Sequence, residues 1–446
     1  MEPARLRAAH MTSSHHEQRS KLSRQIGLFG AAFLAINGMV GSGIFARPAE
    51  VAVNAGPLSP WLFLVVGCMF LAIVLTFAEL ASYYGRTGGP VLYATDAFGA
   101  FAGFSTGWAM YLSRVTSFAA NARLLAAYAG ELHDSLAPPA AQHAVFVFVT
   151  SALVWSNYRG VKTGVFALGV MTALKLAPLL LMIALGLQQV SGAALIPRAP
   201  FAVTDLGGTA LLIAYAYLGF ESVGFTAGET DQPKHKIPRA LVSTFLFTAV
   251  FYFFIVLVFV SVVPPAQTAG ATLVDVGERL AGIAGGLAIN LSALFSIGGN
   301  LAGIMLSTPR LLFSMAQQKT LPSWFAAVHA RRSTPHVSIL CTGALALTLG
   351  LYEGFMVLAA ASTVIRLLGY MMCIASLPRV RRRASEQDRR EAFRLPGGMV
   401  IPLTGMAICV WLIAQSKAAA WAIVGGLVLL GALLFVVGKL AKAPRR

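Results

Sequence analysis

Charge is what this chain is short of. Only 11% of its 446 residues are charged, less than half the share of about 25% carried by soluble domains. With 57% hydrophobic residues and a mean hydropathy of +0.73, the composition excludes an ordinary soluble fold and points to an integral membrane protein. Cysteine is scarce too: Cys68, Cys341, Cys373 and Cys409 stand far apart within apolar stretches. That pattern excludes a disulfide framework and a zinc motif, and the four read as free thiols. Soluble-enzyme signatures are missing: there is no phosphate-binding lysine loop, no paired-histidine metalloprotease helix and no Gly-x-Ser-x-Gly elbow. No catalytic residue, metal or cofactor is therefore expected. His15-His16-Glu17 reads as incidental, and the glycosylation pattern Asn290-Leu291-Ser292 falls inside an apolar span where it cannot be used.

What is present is a succession of long apolar runs. A helix needs about 20 mostly apolar residues to cross a bilayer. Twelve such segments are predicted, at roughly 27–53, 58–82, 99–129, 141–158, 164–188, 205–228, 240–263, 279–315, 336–352, 354–378, 400–416 and 418–438. The runs are continuous rather than ten-residue alternations, which favours helices over a porin-type barrel. Residues 26–440 thus form one helical membrane domain, between a polar, basic and disordered tail over 1–25 and a short tail over 441–446. No cleavable signal peptide is visible at the start.

The net charge of +17 would suit nucleic acid, but its distribution argues against that partner. Lys and Arg concentrate in alternate connections, above all in the run Arg379 to Arg394, whereas 131–139 and 264–278 contain none. This is the positive-inside pattern, and it predicts both termini in the cytoplasm of a cell whose inner membrane holds the protein. The basic run then lies near anionic lipid.

Two spans carry breaks. The first reads Asn37-Gly38-Met39-Val40-Gly41-Ser42-Gly43-Ile44-Phe45, and the sixth contains Gly219-Phe220-Glu221-Ser222-Val223-Gly224. Glycine in a helix interior costs roughly 0.8–1.0 kcal/mol relative to Ala. Lipid supplies no partners for backbone groups freed by an opened helix. The first ten spans divide into two sets of five, each opening with a glycine-interrupted helix. Matching breaks in corresponding positions mark the binding site of many transporters, and an odd number of spans per set makes the two sets inverted in the membrane. At Ser42, Gly43 and Ile44 a second half-helix begins, so its free N–H groups suit a carboxylate. The carbonyl end near Met39 suits an ammonium, and the pair suits a zwitterion. The competing reading is a small-residue patch for close helix packing.

Ionisable residues at mid-span are the remaining signal. Glu221 is either a protonatable relay, a polar group lining a cavity, or a structural carboxyl bonded to a neighbour. Lys175, deep in the fifth span, is able to bind and release a proton because desolvation penalises its charged form. It also suits donation to the carbonyls of the broken first span, in the place a sodium ion fills in related folds; a structural lysine on a carbonyl is the alternative. Arg114 and Arg366 each need a carboxylate, carbonyls or water, and structural pairing is the favoured role. Gly282 and Gly286 suit close packing within or between subunits, so the oligomeric state stays open.

Several of these segments together resemble the amino acid–polyamine–organocation (APC) superfamily. The resemblance rests on Gly41-Ser42-Gly43-Ile44-Phe45, Phe77-Ala78-Glu79-Leu80 with Gly88-Gly89, Gly219-Phe220-Glu221 leading to Ala227-Gly228-Glu229 and Pro233, and Thr308-Pro309-Arg310 with Leu321-Pro322. It implies twelve helices, a five-plus-five inverted repeat like that of the LeuT fold, and transport of amino acids or amines by alternating access. It further implies that Ser42 and Gly43, with Gly41 and Ile44 beside them, hold the substrate carboxylate. The carbonyls of Met39, Tyr215 and Leu218, next to Gly219, then hold the amino group. Lys175 resembles the fifth-helix lysine of sodium-independent members, and Glu221 the acidic residue of arginine–agmatine exchangers. Proton-coupled uptake, or exchange, is thus expected rather than sodium symport. Tyrosine at 215 departs from the exchangers' tryptophan, which counts against arginine or agmatine as substrate. The outer loop Glu131 to Pro139 has no cysteine for a disulfide-linked heavy chain.

Overall fold

The computed structural model describes residues 27–46, 48–85, 87–160, 165–192 and 205–440. The two tails expected over 1–25 and 441–446 lie outside those residues, as does His15-His16-Glu17. Every regular element among the described residues is helical. In chain order the helices are α1 (Leu28–Met39), α2 (Ser42–Ala46), α3 (Pro48–Ala55), α4 (Ser59–Ser82), α5 (Gly89–Phe98), α6 (Ala100–Gly130), α7 (Pro139–Arg159), α8 (Val165–Gly186) and α9 (Leu206–Ala216). There follow α10 (Pro233–Val262), α11 (Leu273–Gln317), α12 (His336–Tyr352), α13 (Phe355–Arg383), α14 (Glu386–Glu391), α15 (Val400–Ala414) and α16 (Ala418–Leu440). Nine helical stretches among the described residues are long and apolar enough to cross a membrane. Two shorter apolar helices, α12 and α15, accompany them.

The helix ends follow local chemistry. Proline opens α4, α5, α7 and α10 within their first two positions, where its missing N–H costs nothing and its fixed φ suits the helix. Thr272 and Asp275 form a reciprocal capping box at the start of α11, satisfying two orphan donors. That cap sets the helix start at 273, six residues before the expected boundary of 279. The difference comes from a bend at Ala281–Gly282, where Gly282 adopts φ +63° and folds the first turns back, so that Gly277 and Gly285 meet backbone to backbone. Gly286 lies against Glu278 and Val274 of the same hairpin, whereas a Cβ added at Gly282 would have nothing within 4 Å.

A central group of helices carries the site. The α10 helix packs along α4, α13 packs along α6, and α11 packs along both α6 and α8. The basic run beginning at Arg379 makes interior contacts on one face of the bundle. Arg381 grips the fully buried Glu79 with two bonds of 2.7 Å, a bidentate geometry that only a guanidinium offers. Arg379 and Arg383 cap the last carbonyls of α5 at Ala97 and Asp96, and Lys234 bridges to Asp388 at 2.6 Å. Cations at a helix C-terminus also complement its dipole.

Candidate functional site

Both anticipated breaks are open in the structure. The α1 helix stops at Met39, Val40 takes a non-helical ψ of 89°, and α2 begins at Ser42. After α9 the chain passes through Tyr217 and Leu218 to Gly219 at φ +108°, then continues as a 3₁₀ helix over Phe220–Thr226. Only glycine tolerates that φ readily. The two breaks touch. A Cβ on Gly38 would stand 2.8 Å from the Gly219 carbonyl oxygen and from Ser222 Oγ, and one on Gly43 would stand 2.5 Å from Ala216 Cα. The Tyr252 hydroxyl is shared between the Met39 carbonyl (3.0 Å) and the Ala216 carbonyl (3.3 Å). One hydroxyl from α10 thereby satisfies a freed backbone group in each broken span.

Lys175 satisfies more of them. Its ammonium, 1% exposed, donates to Val40 O at 2.8 Å, to Asn37 Oδ1 at 2.9 Å and to Asn37 O at 3.5 Å. Ser296 adds a bond to Val40 O at 3.1 Å. The orphan carbonyls at the end of α1 are thus met by the Lys175 amine, whose charged form also complements the helix dipole there.

Beside the two breaks lies a cavity of about 980 Å³. It is walled by the broken spans together with α5, α6, α11 and Arg366 of α13. Of the residues singled out in the sequence, Met39, Gly41, Ser42, Gly43, Tyr215, Leu218, Gly219 and Glu221 line it. Ile44 is buried away from it, and Lys175 reaches the break without lining the cavity. The glycines bring the rods into contact at Gly38–Gly219 and Gly43–Ala216, and residues of both breaks line the hollow beside that contact. It opens past Thr87, Asp96, Glu229, Arg310 and Gln318, toward the face that carries the basic run. In the other direction it ends at Tyr215, Asn121 and Asn300, where side chains close ranks. Tyr215 donates to Asn121 Oδ1 at 2.7 Å, Ser42 Oγ donates to the same oxygen, and Asn121 donates to Asn300 Oδ1 at 2.8 Å. Tyr215 packs edge-on against Phe355. Farther out, the buried Tyr128 bonds the Phe45 carbonyl at 2.9 Å and packs against the Phe45 ring.

Charge gathers one level nearer the opening. Glu221, 2% exposed, lies 3.3 Å from Arg366 Nη1, accepts from Tyr370 at 2.6 Å, and accepts from the Gly219 N–H at 3.2 Å. It therefore ties the second break to α13. Arg114 of α6 donates to Ser307 Oγ at 2.9 Å and lies 4.8 Å over the Phe225 ring. Asn121, Asn300, Tyr370 and Phe225 are site residues that the sequence reading passed over. A signal for them existed: Ser292, Ser296, Asn300, Ser307 and Ser314 recur at helical spacing along one apolar span, which is the mark of a polar stripe facing a cavity. Arg114, Ser117 and Asn121 repeat it on α6.

Comparison with known proteins gives a consistent picture. Residues 26–440 match a family described as amino acid permease. The chain is 25% identical over 415 residues to the branched-chain amino acid permease BcaP of Bacillus subtilis (strain 168), covering 88% of each. It is 28% identical over 408 residues to the serine/threonine exchanger SteT of the same bacterium, covering 88% of this chain and 91% of that one. Identity to the Asc-type amino acid transporter 1 of Mus musculus is 31% over 346 residues, 74% of this chain and 65% of the relative. Among solved structures, the crystal structure of MhsT in complex with L-phenylalanine matches with a TM-score of 0.60 at 15% identity, covering 91% of this chain and all of that one. At that identity the likeness concerns the fold, an all-helical LeuT-like architecture with broken first and sixth spans.

Proposed function

This chain belongs to the amino acid permease family, a family of membrane transporters and not of enzymes, and from that premise we propose that it carries amino acids by sodium-independent, proton-coupled alternating access. The observation that carries the proposal is the Lys175 ammonium on the Val40 and Asn37 oxygens. A fixed cation on those oxygens takes the place where a sodium ion would coordinate, and a lysine, unlike a metal ion, can exchange a proton. Loss of that proton removes the charge on which the end of α1 rests and loosens the break, which links the proton to the site. Glu221 is committed to Arg366, Tyr370 and the Gly219 N–H, so in this reading its part is to hold the second break while Lys175 carries the proton.

The substrate is read as a zwitterion whose carboxylate meets the N–H groups of Gly41, Ser42 and Gly43. Its ammonium meets the carbonyl side of the breaks at Met39, Tyr215 and Leu218. We further read the basic face as cytoplasmic, so the cavity is open inward and closed outward by Tyr215, Asn121 and Phe45.

The decisive measurement is uptake of labelled amino acids into sodium-free proteoliposomes. Wild-type protein should accumulate substrate several-fold faster under an inward proton gradient. Lys175→Ala should still bind substrate but lose that acceleration; unchanged coupling in this variant refutes the role. A relative named as an exchanger supports obligate exchange as the second reading. Exchange predicts near-inert empty vesicles and rapid uptake only after preloading.

A further inference from the structure

The charges deep in the cavity do not balance. Among the described residues, Arg114 (9% exposed), Arg366 (6%) and Glu221 (2%) are the ionisable side chains lining the cavity below the Tyr215–Asn121 closure. The other charges lining the cavity, Asp96, Glu229 and Arg310, stand at its opening, where solvent and salt screen them. One carboxylate therefore serves two guanidiniums, and its ion-pair contact is with Arg366. Among the described residues no carboxylate makes an ion pair with Arg114. Its partners are a neutral hydroxyl and an aromatic face. Arginine does not shed its proton to escape such a place, and two buried guanidiniums sharing one carboxylate leave a net positive charge that is costly to keep from water. The guanidinium also faces a hollow large enough to admit a ligand.

Spacing tells what ligand would complete it. Asn121–Asn300 and Arg114–Ser307 are two rungs between the same pair of helices, α6 and α11. The rungs lie seven residues apart on both helices, about 10 Å at about 1.5 Å per residue. The first rung is where the start of α2 meets the cavity through Ser42. A five-carbon dicarboxylate holds its carboxyl carbons about 5 Å apart at bond lengths of about 1.5 Å. With about 1.2 Å from each carboxyl carbon to its oxygen and a hydrogen bond of about 2.8 Å at each end, its reach is at most about 13 Å, enough to span rungs about 10 Å apart.

Resting on the transport reading above, we propose that Arg114 is the specificity determinant for an acidic side chain, and that the substrates are acidic amino acids such as glutamate. The α-carboxylate sits at the start of α2, and the side-chain carboxylate pairs with Arg114. The same unmatched cation repels lysine, arginine and polyamines, which supplies discrimination by repulsion as well as by attraction.

L-Glutamate and L-glutamine are nearly isosteric and differ by the charge in question. In competition against labelled L-glutamate, in vesicles both empty and preloaded, wild type should prefer glutamate over glutamine at least tenfold. Arg114→Gln should bring that ratio close to one, and Arg114→Lys, which keeps the charge but loses the fork, should fall between. Melting shifts of the purified full-length protein with the two ligands give the same ratio without transport. The inference is overturned if glutamine serves wild type as well as glutamate does, or if the ratio survives in Arg114→Gln. If no amino acid of any charge enters the vesicles or shifts the melt, the transport reading itself falls.

Discussion

Glu221→Ala should cost the folded protein about 3–5 kcal/mol, the penalty found when one partner of a buried ion pair is removed. Among the described residues the carboxylate is the only ion-pair partner of Arg366, at 3.3 Å, and it also receives the Tyr370 hydroxyl at 2.6 Å and the Gly219 N–H at 3.2 Å. Deleting it strands a guanidinium that cannot neutralise itself, leaves a buried hydroxyl without its acceptor, and frees the backbone of the second break. The variant should melt several degrees below wild type in detergent. A double variant, Glu221→Ala with Arg366→Leu, should recover more than half of the loss, because the stranded charge is gone and an apolar side chain fills part of its volume. If the two substitutions simply add, no coupling joins the residues and the ion pair is not what anchors the break to α13.

The fold was legible because membrane helices announce themselves by length and apolarity, and the breaks because glycine in such a helix needs a reason. Gly41-Ser42-Gly43 and Gly219 were visible as sequence, and the structure opens the helices there. What the sequence could not convey is direction. Glycine's lack of a side chain predicts either a solute between the rods or close packing of the rods. Both hold here in part: the rods touch at Gly38, Gly219, Gly43 and Ala216, and the hollow lies to their side. Likewise Arg114 and Arg366 look alike in the chain, each a lone arginine inside an apolar run. Only the placement of Glu221 separates them, one in direct ion-pair contact with it and the other held by Ser307 and the Phe225 ring. Asn121 and Asn300 went unremarked because a single asparagine in a span means little. Their meaning comes from meeting each other across two helices far apart in sequence. The bend at Gly282 was hidden for a similar reason, since glycine at φ +63° in α11 and glycine packed against a neighbour read identically as a letter.

Gly219→Ala should cut transport at least tenfold, while Gly426→Ala in α16 does nothing harmful. At φ +108° an added Cβ meets the Gly38 carbonyl oxygen and the Met39 nitrogen of the facing break. No rotamer relieves a backbone collision, and the left-handed conformation itself costs a non-glycine residue roughly 1–2 kcal/mol. Overpacking adds about 1–3 kcal/mol. The chain can relieve the clash only by separating the two breaks, which pulls the Met39 and Ala216 carbonyls away from Tyr252 and shifts Tyr215 and Leu218 in the cavity wall. Initial uptake should therefore fall at least tenfold, with a melting temperature several degrees lower. Gly426→Ala makes the ideal control: nothing lies within 4 Å of its added Cβ, and alanine in a helix interior is favoured over glycine by roughly 1 kcal/mol. It should transport normally and melt no lower than wild type. Normal uptake by Gly219→Ala would mean that the contact between the breaks is incidental, and that the site works without the close approach seen in the structure.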